Sequence, residues 1–215
     1  MCFSATASLV SAGVIGAIGV VTLRSARSPK ELPIAAIPMM FAVQQAAEGG
    51  LWLSLESGNA GIWPWLLSQL FLAFALVIWP VYAPVAAILV EPEPGRRKVM
   101  QACGLAGVFV ASFFLVQLVT LRHEGFISDG HVLYRTDVES PVLTGLVYSC
   151  ATVLALLVSS HRALALLGAI IGVGALVTYV FMAEVFVSVW CFFAAASSFV
   201  ILAHFQRQAV RAVWG

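Results

Sequence analysis

Apolar residues occur along this chain in long uninterrupted runs, and the charged residues fall between them. A bilayer core about 30 Å thick is crossed by roughly 20 helical residues, so runs of that length indicate membrane spans. Seven such runs occur, at residues 5–23, 32–55, 62–90, 99–121, 141–160, 163–183 and 185–205. The pattern predicts an all-α integral membrane protein, a single domain over residues 1–215 that forms a bundle of seven transmembrane helices.

Composition agrees with a membrane location. Apolar residues make up 61% of the chain and charged residues 10%, and the mean hydropathy of +1.00 is far above that of water-soluble domains. Residues 1–8 carry no positive charge, so the first run is expected to remain as a helix rather than be cleaved as a signal. The basic residues are too few for a nucleic-acid surface, and the lipid bilayer is the expected partner.

Lysine and arginine are concentrated in every second connection. Nine lie on one side of the predicted bundle, namely Arg24, Arg27, Lys30, Arg96, Arg97, Lys98, Arg162, Arg207 and Arg211. Only Arg122 and Arg135 lie on the other. The positive-inside rule therefore places the N terminus outside and the C terminus in the cytoplasm, as an odd number of spans requires. The predicted location is a bacterial inner (plasma) membrane.

The longest connection, residues 122–140, lies on the predicted outer side between the fourth and fifth helices. Asp129 and Gly130 separate two short apolar-rich segments there, which is a common pattern of a tight β-hairpin. We expect this outer loop to form a small lid over the mouth of the bundle.

The second run contains three strongly polar residues, Gln44, Gln45 and Glu48. Their spacings of three and four positions place them on one helix face, with Trp52 one turn above Glu48. An ionised carboxylate in hydrocarbon costs several kcal/mol, so Glu48 is expected to face the bundle interior and to have polar neighbours.

Other polar residues also fall in the outer half of the predicted spans, whereas the inner half has few. The distribution predicts an outward-facing pocket that binds a small-molecule ligand, with Glu48 as the best candidate for an acid or base. The candidate ligand-binding residues are Gln44, Gln45, Glu48, Trp52, Gln69, Gln117, Tyr148 and Tyr179.

A metal site is a more specific form of the same hypothesis. Cys2, Glu48, His131 and Cys191 belong to the outer side and include donors that zinc or copper accept. These residues come from separate segments with no CxxC or HExxH spacing, so the sequence does not test their geometry. The alternative is that Cys2 and Cys191 are packed thiols or form an outer-face disulfide.

Several alternatives remain open at this stage. The polar residues of the second run also fit an interhelical hydrogen-bond cluster that only holds helices together. A lipid hydrolase would use Glu48 as general base, although no GxSxG motif is present. Proton-coupled transport would need a polar route through the apolar inner half. Finally, the chain fits a non-catalytic accessory subunit of a membrane complex or a homo-oligomer.

Three segments carry a family resemblance: MCFSATAS at the start, QQAAEGGLW in the second run and SVWCFFAAASS in the last. The chain resembles a family of uncharacterised bacterial multi-pass membrane proteins, a domain of unknown function, whose members begin with the same octet. The resemblance implies a multi-pass membrane fold and no particular activity. The residues of its blocks that it singles out are Cys2, Ser4, Gln45, Glu48, Trp52, Trp190 and Cys191.

Overall fold

Seven helices and one β-hairpin account for the regular structure of the residues described. The structure, a computed structural model, describes residues 4–58, 61–121, 123–128, 130–134, 141–181 and 186–214. The mostly helical architecture and the small hairpin between the fourth and fifth helices are confirmed.

The helices follow the seven apolar runs with small shifts at their ends. They are α1 Ala5–Ser25, α2 Leu32–Glu56, α3 Ile62–Val90, α4 Pro94–Thr120, α5 at 141–157, α6 Arg162–Phe181, and α7, which consists of Phe186–Ala196 and Ser198–Trp214. The start of α4 precedes the apolar run because Pro94 occupies the first helical position, where its missing N–H costs nothing. The extension of α7 past residue 205 follows from good helix formers such as glutamine, alanine and arginine.

Five of these helices are long and apolar enough to cross a membrane: α1, α3, α4, α6 and the Phe186–Gln208 part of α7. The length of α2, 25 residues, would also suffice, but Gln44, Gln45 and Glu48 lower its hydropathy. The apolar part of α5 that the structure describes, Leu143–Leu157, is shorter. Membrane embedding is therefore supported, and α2 differs from its neighbours in carrying a buried polar cluster.

Consecutive helices run antiparallel, which gives the bundle two distinct ends. In the α1–α2 pair, Gly49 lies against Leu9 near one end and Gly19 against Met39 near the other. The hairpin lies at the first end, which we call the hairpin end. Most of the lysine and arginine residues lie at the second end, in the 26–31 connection and at the adjoining ends of α1, α4, α6 and α7, and we call this the basic end.

The hairpin packs onto the bundle against α1, α2 and α3. Strands β1 Gly125–Ser128 and β2 His131–Tyr134 pair antiparallel around Gly130, whose φ of +72° is readily adopted by glycine. Val132 is fully buried against α1 and α2. Tyr134 stacks on Phe71 of α3 with the ring centroids 4.7 Å apart, and Gly125 N–H donates to Ser68 Oγ at 2.9 Å.

Proline distorts the middle of α3, and side chains from neighbouring helices compensate. In the π-helical turn Ala73–Ile78, the N–H of Trp79 donates to the carbonyl of Phe74, five residues back. The next donor in that pattern would be Pro80, which has no N–H, so the Ala75 carbonyl lacks a backbone donor. The Tyr148 hydroxyl of α5 donates to that carbonyl instead.

A second carbonyl of α3 also lacks its backbone hydrogen-bond donor. Pro84 cannot donate to the carbonyl of Pro80, four residues back. Gly107 of α4 lies directly against this oxygen, and a Cβ atom at Gly107 would be only 1.9 Å from it. Glycine thus allows α4 to approach α3 closely at the point where α3 has lost its own hydrogen bond.

The substitution Gly107→Ala is predicted to destabilise the protein by about 1–3 kcal/mol, because α4 must move away from the Pro80 carbonyl. Thermal unfolding of the purified protein in detergent measures the loss. The matched control is Gly13→Ala in α1, where a new Cβ meets nothing within 4 Å and alanine is the better helix former, so no loss of stability is expected. Equal stability of the two variants would contradict the close contact between α3 and α4.

Candidate functional site

The three polar residues of α2 are completely buried. Gln44, Gln45 and Glu48 each have 0% of their surface exposed. Glu48 precedes Glu56, the last residue of α2, by eight positions, which corresponds to about 12 Å along the helix axis. The sequence-based expectation that these residues face the bundle interior near the hairpin end agrees with this placement.

Glu48 connects three helices through its carboxylate. Ser188 of α7 donates its hydroxyl to Oε1, and Ser8 of α1 donates to Oε2 at 3.5 Å. Both serines are themselves buried. Hydrogen bonds from hydroxyls to a carboxylate reduce the cost of burying it, so these serines are part of what makes Glu48 tolerable at this depth.

Gln44 extends the network to α3 and further along α7. Its Oε1 accepts the indole N–H of Trp79 at 2.8 Å, and its Nε2 donates to Cys191 Sγ at 3.2 Å. Gln44 and Glu48 are four residues apart and share one face of α2. Ser188 and Cys191 are three residues apart and share one face of α7. We call Ser8, Gln44, Glu48, Trp79, Ser188 and Cys191 together the Glu48 cluster.

The start of α1 is fixed by a capping interaction that places Ser8. Ser4 is the N-cap residue, and its hydroxyl accepts the N–H of Ala7 at 3.1 Å. The helix therefore begins at Ala5, with Ser8 one turn later on the face that meets α2. The SATAS part of the N-terminal octet thus supplies both the helix cap, Ser4, and one hydrogen-bond donor to the Glu48 carboxylate, Ser8.

The cluster lies between the hairpin and an apolar cavity. On the hairpin side, Trp52 lies one turn from Glu48 and packs with Ala5, Leu51 and Val132. On the other side, aromatic pairs border the cavity, with Phe41 stacked on Trp79 at 4.1 Å and Tyr148 edge-on to Trp190 at 5.2 Å. The cavity is lined by Ile37, Phe41, Trp79, Ala83, Tyr148, Thr152, Leu156, Leu167, Ile171, Trp190, Cys191 and Ala194.

The structure brings only part of the sequence-based residue set together. Gln69 is half-buried and donates to the Leu118 carbonyl of α4 at 3.1 Å, and Gln117 is half-buried on α4. Tyr148 contributes to the contact between α3 and α5, as described above. Tyr179 is 62% exposed on α6, with an edge contact to Phe186. These four residues lie outside the Glu48 cluster.

The proposed metal ligands are not gathered into one site among the residues described. Cys2 lies outside those residues. Cys191 belongs to the Glu48 cluster, whereas His131 is half-buried in β2. Within the described part of the chain, no three His, Cys, Asp or Glu side chains come together in a way that would hold a metal ion.

Three members of the Glu48 cluster, Ser8, Trp79 and Ser188, were not expected from the sequence. Ser8 is part of the N-terminal octet that carries the family resemblance, and this position is the one feature of the sequence that could have pointed to it. A serine in a helix does not by itself indicate a functional site. Trp79 lies in an apolar run, and only the tertiary contact with Gln44 assigns it a polar role. No spacing rule links residues on different helices, which is why sequence inspection missed this partner.

A second buried acid, Glu91, lies at the basic end. It is 0% exposed and accepts hydrogen bonds from the Ser159 hydroxyl at 3.1 Å and the Ser160 N–H at 2.9 Å. Burial alone would raise the pKa of the Glu91 carboxyl, but donors on Ser160, Glu93 and Ser159 outweigh burial and lower its pKa. Glu91 therefore ties the end of α3 to the start of α6.

Chemically, the Glu48 cluster offers an acceptor carboxylate, two hydroxyls, a carboxamide, an indole N–H and a thiol in a water-poor setting. Such a set suits a small molecule that donates hydrogen bonds, since carboxylate acceptors form the stronger charge-assisted bonds. The serine–carboxylate contact would also suit proton transfer within hydrogen-bond reach.

A family model described as a family of unknown function (DUF6629) matches residues 1–214. No curated protein and no solved structure matches the chain.

The Glu91 hydrogen bonds predict a pH-dependent contribution to stability. Because folding lowers the pKa of Glu91, its contribution is complete above the unfolded-state pKa and is lost as the pH falls through the folded-state pKa. Glu91→Gln should be about 1.5–3 kcal/mol less stable than the parent at neutral pH, and the difference should shrink in acid. Unfolding in detergent between about pH 7 and pH 3 measures it. Glu93→Gln, which alters an exposed side chain nearby, should follow the parent; a constant deficit for Glu91→Gln would contradict the account.

Proposed function

Because the chain belongs to DUF6629, a family of unknown function, over residues 1–214, we propose its role from its own residues. It is a seven-span membrane protein with the N terminus outside, and the Glu48 cluster binds a small polar ligand that enters from the outer face beneath the hairpin.

The distribution of charge supports seven spans and this orientation. The helix ends and connections at the basic end contain nine lysine and arginine residues, against two in the 122–140 connection at the hairpin end. The antiparallel packing of α2 with α1 and of α5 with α6 supports treating α2 and α5 as spans like their neighbours. In a bacterial inner membrane, this places the basic end in the cytoplasm.

One observation carries the proposal of a ligand site. A carboxylate with no exposed surface accepts hydroxyls from two other helices, about 12 Å below the end of the bundle that the hairpin covers. Intramembrane ionisable groups are costly, and functional sites are where proteins usually tolerate that cost. The additional polar atoms of Gln44 and Cys191 widen the site beyond a single interhelical contact.

The surroundings favour a small organic ligand at a closed site. The described residues supply no three-residue metal set. The cavity on the far side of the cluster is lined almost entirely by apolar side chains. This lining favours a binding site that ends at the cluster over a polar transport route across the bilayer.

The competing interpretation is that the same hydrogen bonds only hold α1, α2 and α7 together, as in an accessory subunit. Both interpretations require a folded bundle, so stability measurements alone do not separate them. Access of small polar molecules from outside does separate them, because an interhelical tie has no need to open.

The orientation predicts the behaviour of reporter fusions in a bacterial host. A fluorescent protein fused at the C terminus should fluoresce, and alkaline phosphatase at the same point should be inactive, because both would be cytoplasmic. Insertion after Gly58, in the α2–α3 connection, should give the opposite pattern. The reversed result at both positions would contradict the proposed orientation.

Cys191 provides a native reporter of access to the cluster, since it lies 3.2 Å from Gln44 Nε2. A protein that retains only Cys191 should react with a small membrane-impermeant methanethiosulfonate added from outside. The matched control retains only Cys103, which has almost the same exposure, 5% against 6% for Cys191, but lies on α4 in the half toward the basic end.

Faster modification of Cys191 than of Cys103 is the expected result, measured by mass spectrometry of intact protein. Equal, slow rates would favour the purely structural role. Small molecules that slow the modification of Cys191 in the parent can then be tested for the same effect in the Glu48→Gln variant. A true ligand should protect Cys191 in the parent and lose most of its effect in that variant.

A further inference from the structure

A separate cavity lies at the basic end, between the start of α2, the end of α3, the start of α6 and the second part of α7. Its empty space is about 410 Å³ including the opening. Its walls combine polar and apolar side chains, namely Glu31, Ile34, Val90, His161, Ala163, Leu164, Ile201, His204, Phe205 and Gln208. None of these residues belongs to the Glu48 cluster.

The polar groups of this cavity are mainly hydrogen-bond acceptors. The Nε2 of Gln208 lies 3.1 Å from His204 Nε2, to which the amide donates. Its Oε1 is buried and has no hydrogen-bond partner among the described residues. A buried acceptor left without a donor is costly, so this oxygen calls for a donor from water or from a ligand.

Glu31 and His161 add to the acceptor character. One carboxylate oxygen of Glu31 accepts the backbone N–H of Arg27 at 2.8 Å, which leaves the other oxygen available. His161 uses Nε2 to donate to the Val90 carbonyl at 2.8 Å, so its other ring nitrogen is an acceptor in the neutral imidazole. The cavity thus presents a carboxylate oxygen of Glu31 and the amide oxygen of Gln208.

The remaining walls and the rim restrict the kind of donor. Ile34, Leu164, Ile201 and Phe205 form an apolar surface beside the acceptors. At the rim, the Arg27 guanidinium donates to the Gln208 carbonyl at 2.8 Å and is exposed. A matching molecule would place a cationic hydrogen-bond donor against the acceptors inside the cavity and a short alkyl stem against the apolar wall. An anionic group at the other end of the stem would lie near Arg27 at the rim.

We propose that this cavity binds a primary ammonium group, presented by a phospholipid headgroup or by a free amine. The ammonium donates to Glu31 and Gln208 Oε1, and its alkyl stem rests on the apolar wall. A quaternary ammonium of similar charge has no N–H to donate, so it cannot satisfy these acceptors. The site is independent of the ligand proposed for the Glu48 cluster.

The experiment compares lipid and soluble sources of the ammonium. The parent protein is placed in nanodiscs of phosphatidylcholine with or without phosphatidylethanolamine, and separately in detergent with ethanolamine or choline at equal ionic strength. Unfolding temperature is measured in each case, and native mass spectrometry counts the bound phosphatidylethanolamine. Binding to the folded state raises the unfolding temperature.

The expected result is a higher unfolding temperature with a primary ammonium than with its quaternary counterpart. A rise with ethanolamine alone identifies a free amine as sufficient, whereas a rise only with phosphatidylethanolamine identifies the lipid headgroup. Glu31→Gln and Gln208→Leu should each weaken binding by about tenfold or more, as expected for the loss of one charge-assisted or buried hydrogen bond.

Glu93→Gln is the matched control, because it removes an exposed acid at the same end outside the cavity. It should keep the full effect. The proposal is overturned if neither amine source exceeds its quaternary counterpart in the parent, or if both cavity variants keep the parent's response. Should one cavity variant fail to fold, the other variant and the lipid count on the parent still decide the outcome.

Discussion

The arrangement of this bundle depends on one requirement: backbone carbonyls within the apolar layer need hydrogen-bond partners, because lipid offers none. Pro80 and Pro84 break that rule within α3, at the carbonyls of Ala75 and Pro80. Tyr148 of α5 supplies a hydroxyl to the first, and Gly107 of α4 allows close approach to the second. Trp79 directly follows this distorted turn, and its indole N–H donates to Gln44. Repair of the α3 backbone and assembly of the Glu48 cluster are therefore parts of one local structure.

Two buried acids occupy opposite ends of the molecule and are stabilised differently. Glu48 lies within a helix and depends on side-chain hydroxyls from other helices. Glu91 lies in a connection, where backbone N–H groups and the serines before α6 are available. The apolar middle of the bundle separates the two. This division agrees with the cost of polar groups in hydrocarbon, which is lowest near the ends where hydrogen-bond partners can be provided.

The helices and the hairpin were predictable because apolar run length and an Asp-Gly turn are local properties of the sequence. The inward orientation of Glu48 was predictable because the alternative, exposure to lipid, is so unfavourable. The partners of Glu48 were not, since Ser8 and Ser188 are distant in sequence and serine is common in helices. The hydrogen bond from Tyr148 to the Ala75 carbonyl was not predictable either, because that carbonyl lacks a backbone donor only as a result of Pro80. The burial of Glu91 was not predictable for a related reason: its donors, Ser159 and Ser160, lie in another connection.

The weak hydropathy of α2 has a consequence for biosynthesis. A segment that carries two glutamines and a glutamate partitions poorly into the bilayer when it leaves the translocon by itself. Its tightest neighbour, α1, has already been synthesised by then, and the two pack along their length through Gly19 and Gly49. Co-insertion of α1 and α2 as a helical hairpin would shield the carboxylate from lipid during synthesis, with Ser8 as its first hydrogen-bond donor before α7 exists.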